Sequence, residues 1–187
     1  FKSGNKTSTF ELKISNESKR VGLQICEDLW DQNYSIDLAQ SIKDSNADMI
    51  INISASPFGD DRLIERSNLI QEKVQKTGLP FIYCNLVGSQ DELIFDGQSL
   101  VYNHEANLIA KGKAFSEDLL IIDFKESSKI KLNSLQREES LYRALALGVK
   151  DYFSKTGHSQ AVIGLSGGID SSLTACIAVE ALGKENV

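Results

Sequence analysis

Val21, Leu23 and Ile25 alternate with polar or small residues up to Cys26, the period-two pattern of a strand that ends at a thiol. Ile36, Ala39 and Ile42 then fall at helical spacing and predict a short helix. Residues 48–53 read as a buried strand that gives way to the loop Ser54-Ala55-Ser56-Pro57-Phe58-Gly59. Over residues 61–76, Leu63, Ile64, Ile70 and Val74 form the apolar stripe of an amphipathic helix, with Gly78 as its stop. Residues 80–87 predict another strand and residues 88–97 a polar loop. Residues 98–103 pair with residues 108–114 through the turn His104-Glu105-Ala106-Asn107, and a strand over 119–124 completes the set. Alternating helices and strands followed by consecutive strands predict a mixed-sheet α/β unit over residues 1–124.

Residues 125–138 carry no apolar periodicity and read as a linker. A helix follows from about Glu139 to Lys155, with Leu141, Leu145, Val149 and Tyr152 on one face and Gly157 as its stop. The apolar run 161–165 then breaks into Ser166-Gly167-Gly168-Ile169-Asp170-Ser171-Ser172 and resumes at helical spacing. Residues 139–187 therefore predict helix, strand, glycine turn and helix, the opening of a second unit.

Composition narrows the reading by exclusion. A chain of 187 residues that is 41% hydrophobic and 25% charged has the make-up of a globular protein, one domain or parts of two. Its net charge of −6, with no cluster of basic and aromatic residues, argues against a nucleic-acid partner. No apolar run approaches the ~20 residues of a membrane span, and FKSGNKTSTF lacks a signal-peptide core, so a cytoplasmic protein without a membrane partner is expected. Cys26, Cys84 and Cys176 are too scattered for a disulfide framework or a zinc site, and the last two are expected in the core. His104 and His158 are expected at the surface. The chain does not start with Met and stops just after the helix that follows the glycine turn. It is expected to be part of a longer polypeptide, since a parallel nucleotide-binding sheet needs several strands.

The glycine turn carries the clearest chemistry. Two glycines let a phosphate approach the backbone, and the helix N-terminus beyond them offers unbonded N–H groups and a positive dipole end. Gly164-Leu165-Ser166-Gly167-Gly168 also fits the G-x-S-x-G turn of serine hydrolases, but no histidine follows it to act as base. A P-loop would need a lysine after its last glycine. A tight turn without chemistry remains an alternative, in which Asp170 is simply a stabilising acid in the first helical turn. Cys26, read alone, is a small buried hydrophobe, and Glu27 and Asp28 beside it disfavour a thiolate. As a nucleophile it would need a base or cation from elsewhere.

SGGIDSS resembles the SGGxDS pyrophosphate loop of the ATP pyrophosphatases. QICEDLWD, NISASPF and NLVGSQDELIFDGQS resemble the carbon-nitrogen hydrolase (nitrilase-like) glutaminase domain of the family of glutamine-dependent NAD⁺ synthetases, and AVIGLSGGIDSS follows them in the order of that family. The resemblance implies part of a nitrilase-like α-β-β-α sandwich, then the start of a Rossmann-like adenine nucleotide alpha hydrolase domain. It implies Cys26 as nucleophile, with the glutamate and lysine of its triad before Phe1, and Glu27, Ser56 and Arg62 as glutamine contacts. Arg62 reads equally as a solvated charge on a helix face. Ser166, Gly167, Gly168, Ile169, Asp170, Ser171 and Ser172 would hold ATP or pyrophosphate, and Asp170 would bind Mg²⁺, which bridges carboxylate and phosphate oxygens. Glutamine, ATP and deamido-NAD⁺ would be the substrates of a homo-oligomer, and the 187 residues alone are expected to be inactive. A GMP-synthetase type of glutaminase would show a glycine-flanked cysteine and a later His-x-Glu, and an asparagine-synthetase type an N-terminal cysteine; neither pattern is present. A scaffold that has lost both activities stays open as an alternative.

Overall fold

The computed structural model describes residues 4, 7–14, 17–125 and 127–187. The elements run β1 (Ser8–Ile14), β2 (Glu17–Ile25), α1 (Leu38–Asp44), β3 (Met49–Ser54), α2 (Arg62–Thr77), β4 (Phe81–Asn85), β5 (Val87–Gln90), β6 (Leu93–Asp96), β7 (Leu100–Tyr102), β8 (Leu108–Lys111), α3 (Arg137–Thr156) and α4 (Ile169–Leu182). Six strands form one sheet in the order β1-β2-β3-β4-β7-β8, and β5 and β6 form a separate hairpin. The central strands β2, β3 and β4 are parallel, because α1 and α2 supply the crossovers that parallel pairing requires. The outer pairs are antiparallel, which makes the sheet mixed as its sequence pattern predicts.

Both crossover helices lie on one face of this sheet. Ile42 of α1 and Leu63, Ile70 and Val74 of α2 meet Ile50, Phe81, Tyr83 and Leu100 in a single core. Gly22 makes room for α1, since a Cβ there would lie 2.2 Å from Ile42 Cγ2. Asp37 caps α1 by accepting the Gln40 N–H at 2.9 Å, and Gly78 ends α2 with φ 69°. On the other face Ile25, Ile53, Leu86, Phe10 and Leu12 are exposed. One helix layer on one sheet is half of the α-β-β-α sandwich that the resemblance implies.

Several elements depart from the sequence pattern. β1 is an additional edge strand. The strand expected over 80–87 divides at Leu86, and the supposed polar loop 88–97 is the β5–β6 hairpin. Its alternation is masked by polar positions whose partners lie on α3. Residues 119–124 form no strand, and Leu119 and Ile121 stand out in solvent at 84% and 93% exposure. Residues 161–165 form no ladder either, because a parallel strand exists only beside a neighbour and none is present among the described residues; Ala161 instead donates its N–H to the Asn186 carbonyl at 2.8 Å. Cys84 and Cys176 are exposed rather than in the core. Cys84 alternates with buried Tyr83 and so faces the uncovered side of the sheet.

α3 begins and ends within two residues of its predicted bounds, but its expected face is not the buried one: Leu145 and Tyr152 are exposed, and Ala144 and Ala146 are buried where α3 packs against β5, β6 and α4. It joins the two halves of the chain. Tyr142 of α3 donates its hydroxyl to the Cys176 carbonyl of α4 at 3.2 Å, and Arg137 pairs with Asp60 at 2.9 Å.

Candidate functional site

The carboxyl ends of parallel strands are where α/β sheets place ligands, because several chains turn away from the sheet there at once. Ile25 is paired with Ile53, and Ser54 with Asn85, so Cys26, Ser54 and Asn85 leave the sheet at the same end. Cys26 has φ 43°, the left-handed region, and turns the chain out of β2 into the 3-10 helix Cys26–Asn33. A non-glycine residue held there costs on the order of 1–3 kcal/mol, a strain that concentrates at functional sites. The Asp28 carboxylate fixes this elbow by accepting the Ile25 N–H at 2.8 Å. Glu27 is exposed and accepts the Tyr34 hydroxyl at 2.9 Å, a hydrogen bond that, with the Glu27 charge, holds the Tyr34 phenol above its ordinary pKa. Both acids that the sequence sets beside the half-buried thiol are therefore engaged by other groups.

The loop after β3 and the first turns of α2 form the facing wall. Arg62 stacks its guanidinium 4.9 Å from the centre of the Trp30 ring, in the helix that Cys26 begins, and pairs with Glu65 at 3.1 Å. It is a half-exposed cation on a helix face that also reaches the elbow. Ser56 is 4% exposed. Its N–H is held by Asn85 Oδ1 at 2.9 Å, and its hydroxyl and carbonyl accept from Arg66 at 3.2 and 2.8 Å. Cys26, Glu27 and Arg62 thus share one end of the sheet with Ser56, whose polar groups are largely spoken for.

Periodicity does not reveal the residues that organise this end. Arg66 and Asp96 form an ion pair at 2.9 Å with side-chain exposures of 0% and 2%. Beneath it Gln24, Asn52 and Tyr83 are register neighbours across β2, β3 and β4, all buried. The Gln24 amide, Asn52 Nδ2 and the Tyr83 hydroxyl have no hydrogen-bond partner among the described residues. Burial pushes the Tyr83 phenol up, against the opposing pull of the Arg66 charge. A polar row this deep is unusual for a sheet interior. Period two sets Gln24, Asn52 and Ser54 at the polar positions between Leu23, Ile25, Ile51 and Ile53, so the pattern hides their burial: Ile25 and Ile53 are the exposed residues and the polar ones face the core. A cavity of about 460 Å³ opens at the same end, lined by Ser54, Cys84, Asn85, Gln98, Ser99 and Lys113 among others, but Cys26 is not in its walls.

The second centre is the turn before α4. Gly167 has φ 83° and open space where a Cβ would sit, so backbone conformation, not crowding, selects glycine. Gly168 is the N-cap of α4, and Ser172 makes the first intrahelical bond, N–H to the Gly168 carbonyl at 3.2 Å. The preceding N–H groups of Ile169, Asp170 and Ser171 have no carbonyl within the helix to bond. The hydroxyls of Ser171 and Ser172 donate to the Gly168 carbonyl at 3.1 and 2.9 Å, and Ser166 Oγ lies 3.2 Å from Ser171 Oγ. These hydroxyls must rotate to donate to an anion. Asp170 is exposed and forms no ion pair among the described residues. Among the described residues no group of three or more metal-ligating side chains occurs. Among the described residues no helix is long and apolar enough to cross a membrane.

Two family models match separate stretches of the chain. Residues 1–131 match the family model described as carbon-nitrogen hydrolase, and residues 141–187 that described as NAD synthase. A glutamine-dependent NAD(+) synthetase from Synechocystis is 41% identical over 90% of this chain and 32% of its own length. One from Thermotoga maritima is 34% identical over 94% of this chain and 36% of its own. The structure of glutamine-dependent NAD+ synthetase from Acinetobacter baumannii in complex with adenosine diphosphate aligns with all of this chain at TM-score 0.85 and 31% identity, covering 35% of that chain. The chain spans about a third of the length of the relatives it matches.

Proposed function

The chain belongs to the carbon-nitrogen hydrolase family, and on that footing we propose that it is the junction of a glutamine-dependent NAD⁺ synthetase, joining a glutaminase to an ATP-consuming amide synthetase. The observation that carries the proposal is the pairing of two unrelated centres on one chain. A strained cysteine elbow ends β2, a glycine cradle opens α4, and α3 packs against both halves.

In the first centre the Cys26 sulfur attacks the side-chain carbonyl of glutamine. Ammonia leaves, and water then releases glutamate from the thioester. Glu27, Ser56 and Arg62 orient the substrate, Arg62 by its charge and Ser56 by the hydroxyl proton that its Arg66 bond leaves available. The base and cation for the thiol come from other residues, since Glu27 binds Tyr34 and Asp28 holds the elbow.

In the second centre Ser166, Gly167, Gly168, Ile169, Asp170, Ser171 and Ser172 hold the phosphates of ATP, in line with the ADP of the Acinetobacter baumannii relative. The nicotinate carboxylate of deamido-NAD⁺ becomes an acyl adenylate as pyrophosphate leaves, and ammonia displaces AMP to give NAD⁺. The N–H groups at the start of α4 stabilise charge on the departing pyrophosphate. Asp170 would hold Mg²⁺, which supplies charge neutralisation between carboxylate and phosphate. Residues 1–124, 125–138 and 139–187 serve as glutaminase part, linker and synthetase part of a cytoplasmic homo-oligomer.

The test supplies the full-length protein with ATP, deamido-NAD⁺ and glutamine labelled with ¹⁵N in the side-chain amide. NAD⁺ carrying the label is expected. No labelled NAD⁺ from an active, folded preparation would refute the proposal.

A further inference from the structure

Arg66 is the largest of the fully buried side chains, with 0% exposure, and every nitrogen of its guanidinium is engaged. Nε donates to Ser56 Oγ at 3.2 Å, and Nη1 donates to Asp96 Oδ1 at 2.9 Å. Nη2 donates to the carbonyls of Ser56 and Pro57 at 2.8 and 2.9 Å. Packing does not call for this residue. An apolar side chain of similar volume avoids the desolvation of two charges and is often as stable or more so. What arginine alone supplies is a planar fork that binds a carboxylate and two consecutive carbonyls at once.

The anchor behind the fork is also built from hydrogen bonds. Asp96 Oδ2 accepts from Gln98 Nε2 at 2.6 Å, and Asn85 Nδ2 reaches Asp96 Oδ1 at 3.5 Å and the Gly97 carbonyl at 3.1 Å. Asn85 closes the circuit by accepting the Ser56 N–H at 2.9 Å. The backbone of Ser56 is therefore fixed at N–H and carbonyl, and its hydroxyl is fixed as an acceptor from Arg66. Its one proton is left to point at another acceptor.

We propose that Arg66, anchored by Asp96, is a positioning residue for the amide substrate: it sets the Ser56 loop and hydroxyl before the substrate arrives and touches no substrate itself. This rests on the reading of Ser56 as a glutamine contact. Pre-setting a donor removes the ordering cost that binding would otherwise carry, so its loss is read in the Michaelis constant.

The test compares Arg66→Lys, Ser56→Ala and their combination in the full-length protein, measuring NAD⁺ formation from glutamine and from ammonium. Lysine keeps the charge near Asp96 but cannot reach both carbonyls and the hydroxyl together. A variant carrying Arg66→Met with Asp96→Leu removes both buried charges and serves where lysine does not fold. For either, KM for glutamine is expected to rise about tenfold, the effect of losing one or two hydrogen bonds, with a smaller change in kcat. The ammonium-dependent rate is expected to stay at the wild-type value. Adding Arg66→Lys to Ser56→Ala should produce no further loss, since both act through the same hydroxyl. An unchanged KM, parallel losses with both nitrogen sources, or additive losses in the combination would each overturn the proposal. A wild-type protein that makes no NAD⁺ from glutamine overturns the functional reading beneath it as well, whereas a working wild type with an unaltered Arg66→Lys variant overturns this proposal alone.

Discussion

Ser89 of the β5–β6 hairpin donates its backbone N–H to Asp151 Oδ2 of α3 at 2.7 Å, and Lys155, one turn further along α3, donates to the carbonyl of the same residue. The strand edge that Ser89 would otherwise leave open is thus gripped by two side chains that also pair with each other at 3.3 Å. The hairpin begins just after Asn85 and ends at Asp96, two members of the network around Ser56. α3 is in this way tied to the wall of the cysteine centre as well as to the helix of the phosphate cradle.

Gly88 makes the close approach workable. Its φ of 136° is hostile to any side chain, and a Cβ there would stand 2.9 Å from Asp151 Oδ2. Gly88→Ala is expected to lower the melting temperature through backbone strain of order 1–3 kcal/mol plus that contact. In an Asp151→Ala background the same substitution should lose less, because only the backbone part remains. Calorimetry of the four proteins checks this, and equal losses in both backgrounds would show that the grip is absent in solution.

The side chain of Lys111, half-buried on β8, forms no hydrogen bond or ion pair among the described residues. Burial lowers its pKa, with the Asp96 carboxylate pulling it partly back. A lysine whose folded pKa lies below its unfolded one destabilises the fold while charged. The penalty is complete below the folded value and disappears above the unfolded value near ~10.4. Lys111→Met should therefore raise the melting temperature at pH 7, and the gain should shrink as pH climbs toward that value. A gain that grows with pH would have the wrong sign.

Much of this architecture is legible in the sequence because α1 and α2 carry core residues at helical spacing and the strands carry continuous or alternating apolar runs, whereas the stripes expected on α2 and α3 include Ile64, Leu145 and Tyr152, which are exposed. α2 and α3 lie within two residues of their predicted ends, since Gly78 and Gly157 stop them chemically. The hairpin is hidden because Gly88, Ser89, Gln90 and Asp91 look like a loop until α3 is present to bond them. Residues 161–165 have the composition of a buried strand, but a strand is a relationship between segments and the described residues contain no neighbour for it. The position of Cys26 at a strand end was readable, whereas its left-handed backbone was not. Arg66 shows the limit most clearly, as it is 30 residues from the Asp96 that makes its burial tolerable and follows Arg62, a surface cation, by one helical turn.

Asp170 is the one carboxylate in the first turn of α4. Under the proposed function it shares Mg²⁺ with the phosphates, so Asp170→Asn should cut NAD⁺ formation about 100-fold or more with glutamine and with ammonium alike, the scale of losing one transition-state charge partner. Glutamine hydrolysis to glutamate, assayed separately, checks that the cysteine centre survives. Full synthesis by this variant would remove Asp170 from the site.

The decisive measurement is NAD⁺ synthesis by full-length Cys26→Ala with glutamine and, in parallel, with ammonium as nitrogen source. Loss of synthesis from glutamine with wild-type synthesis from ammonium is the expected result, because the thiol serves only the release of ammonia. Undiminished synthesis from glutamine, or loss of both in a folded protein, would contradict two separate centres joined by α3.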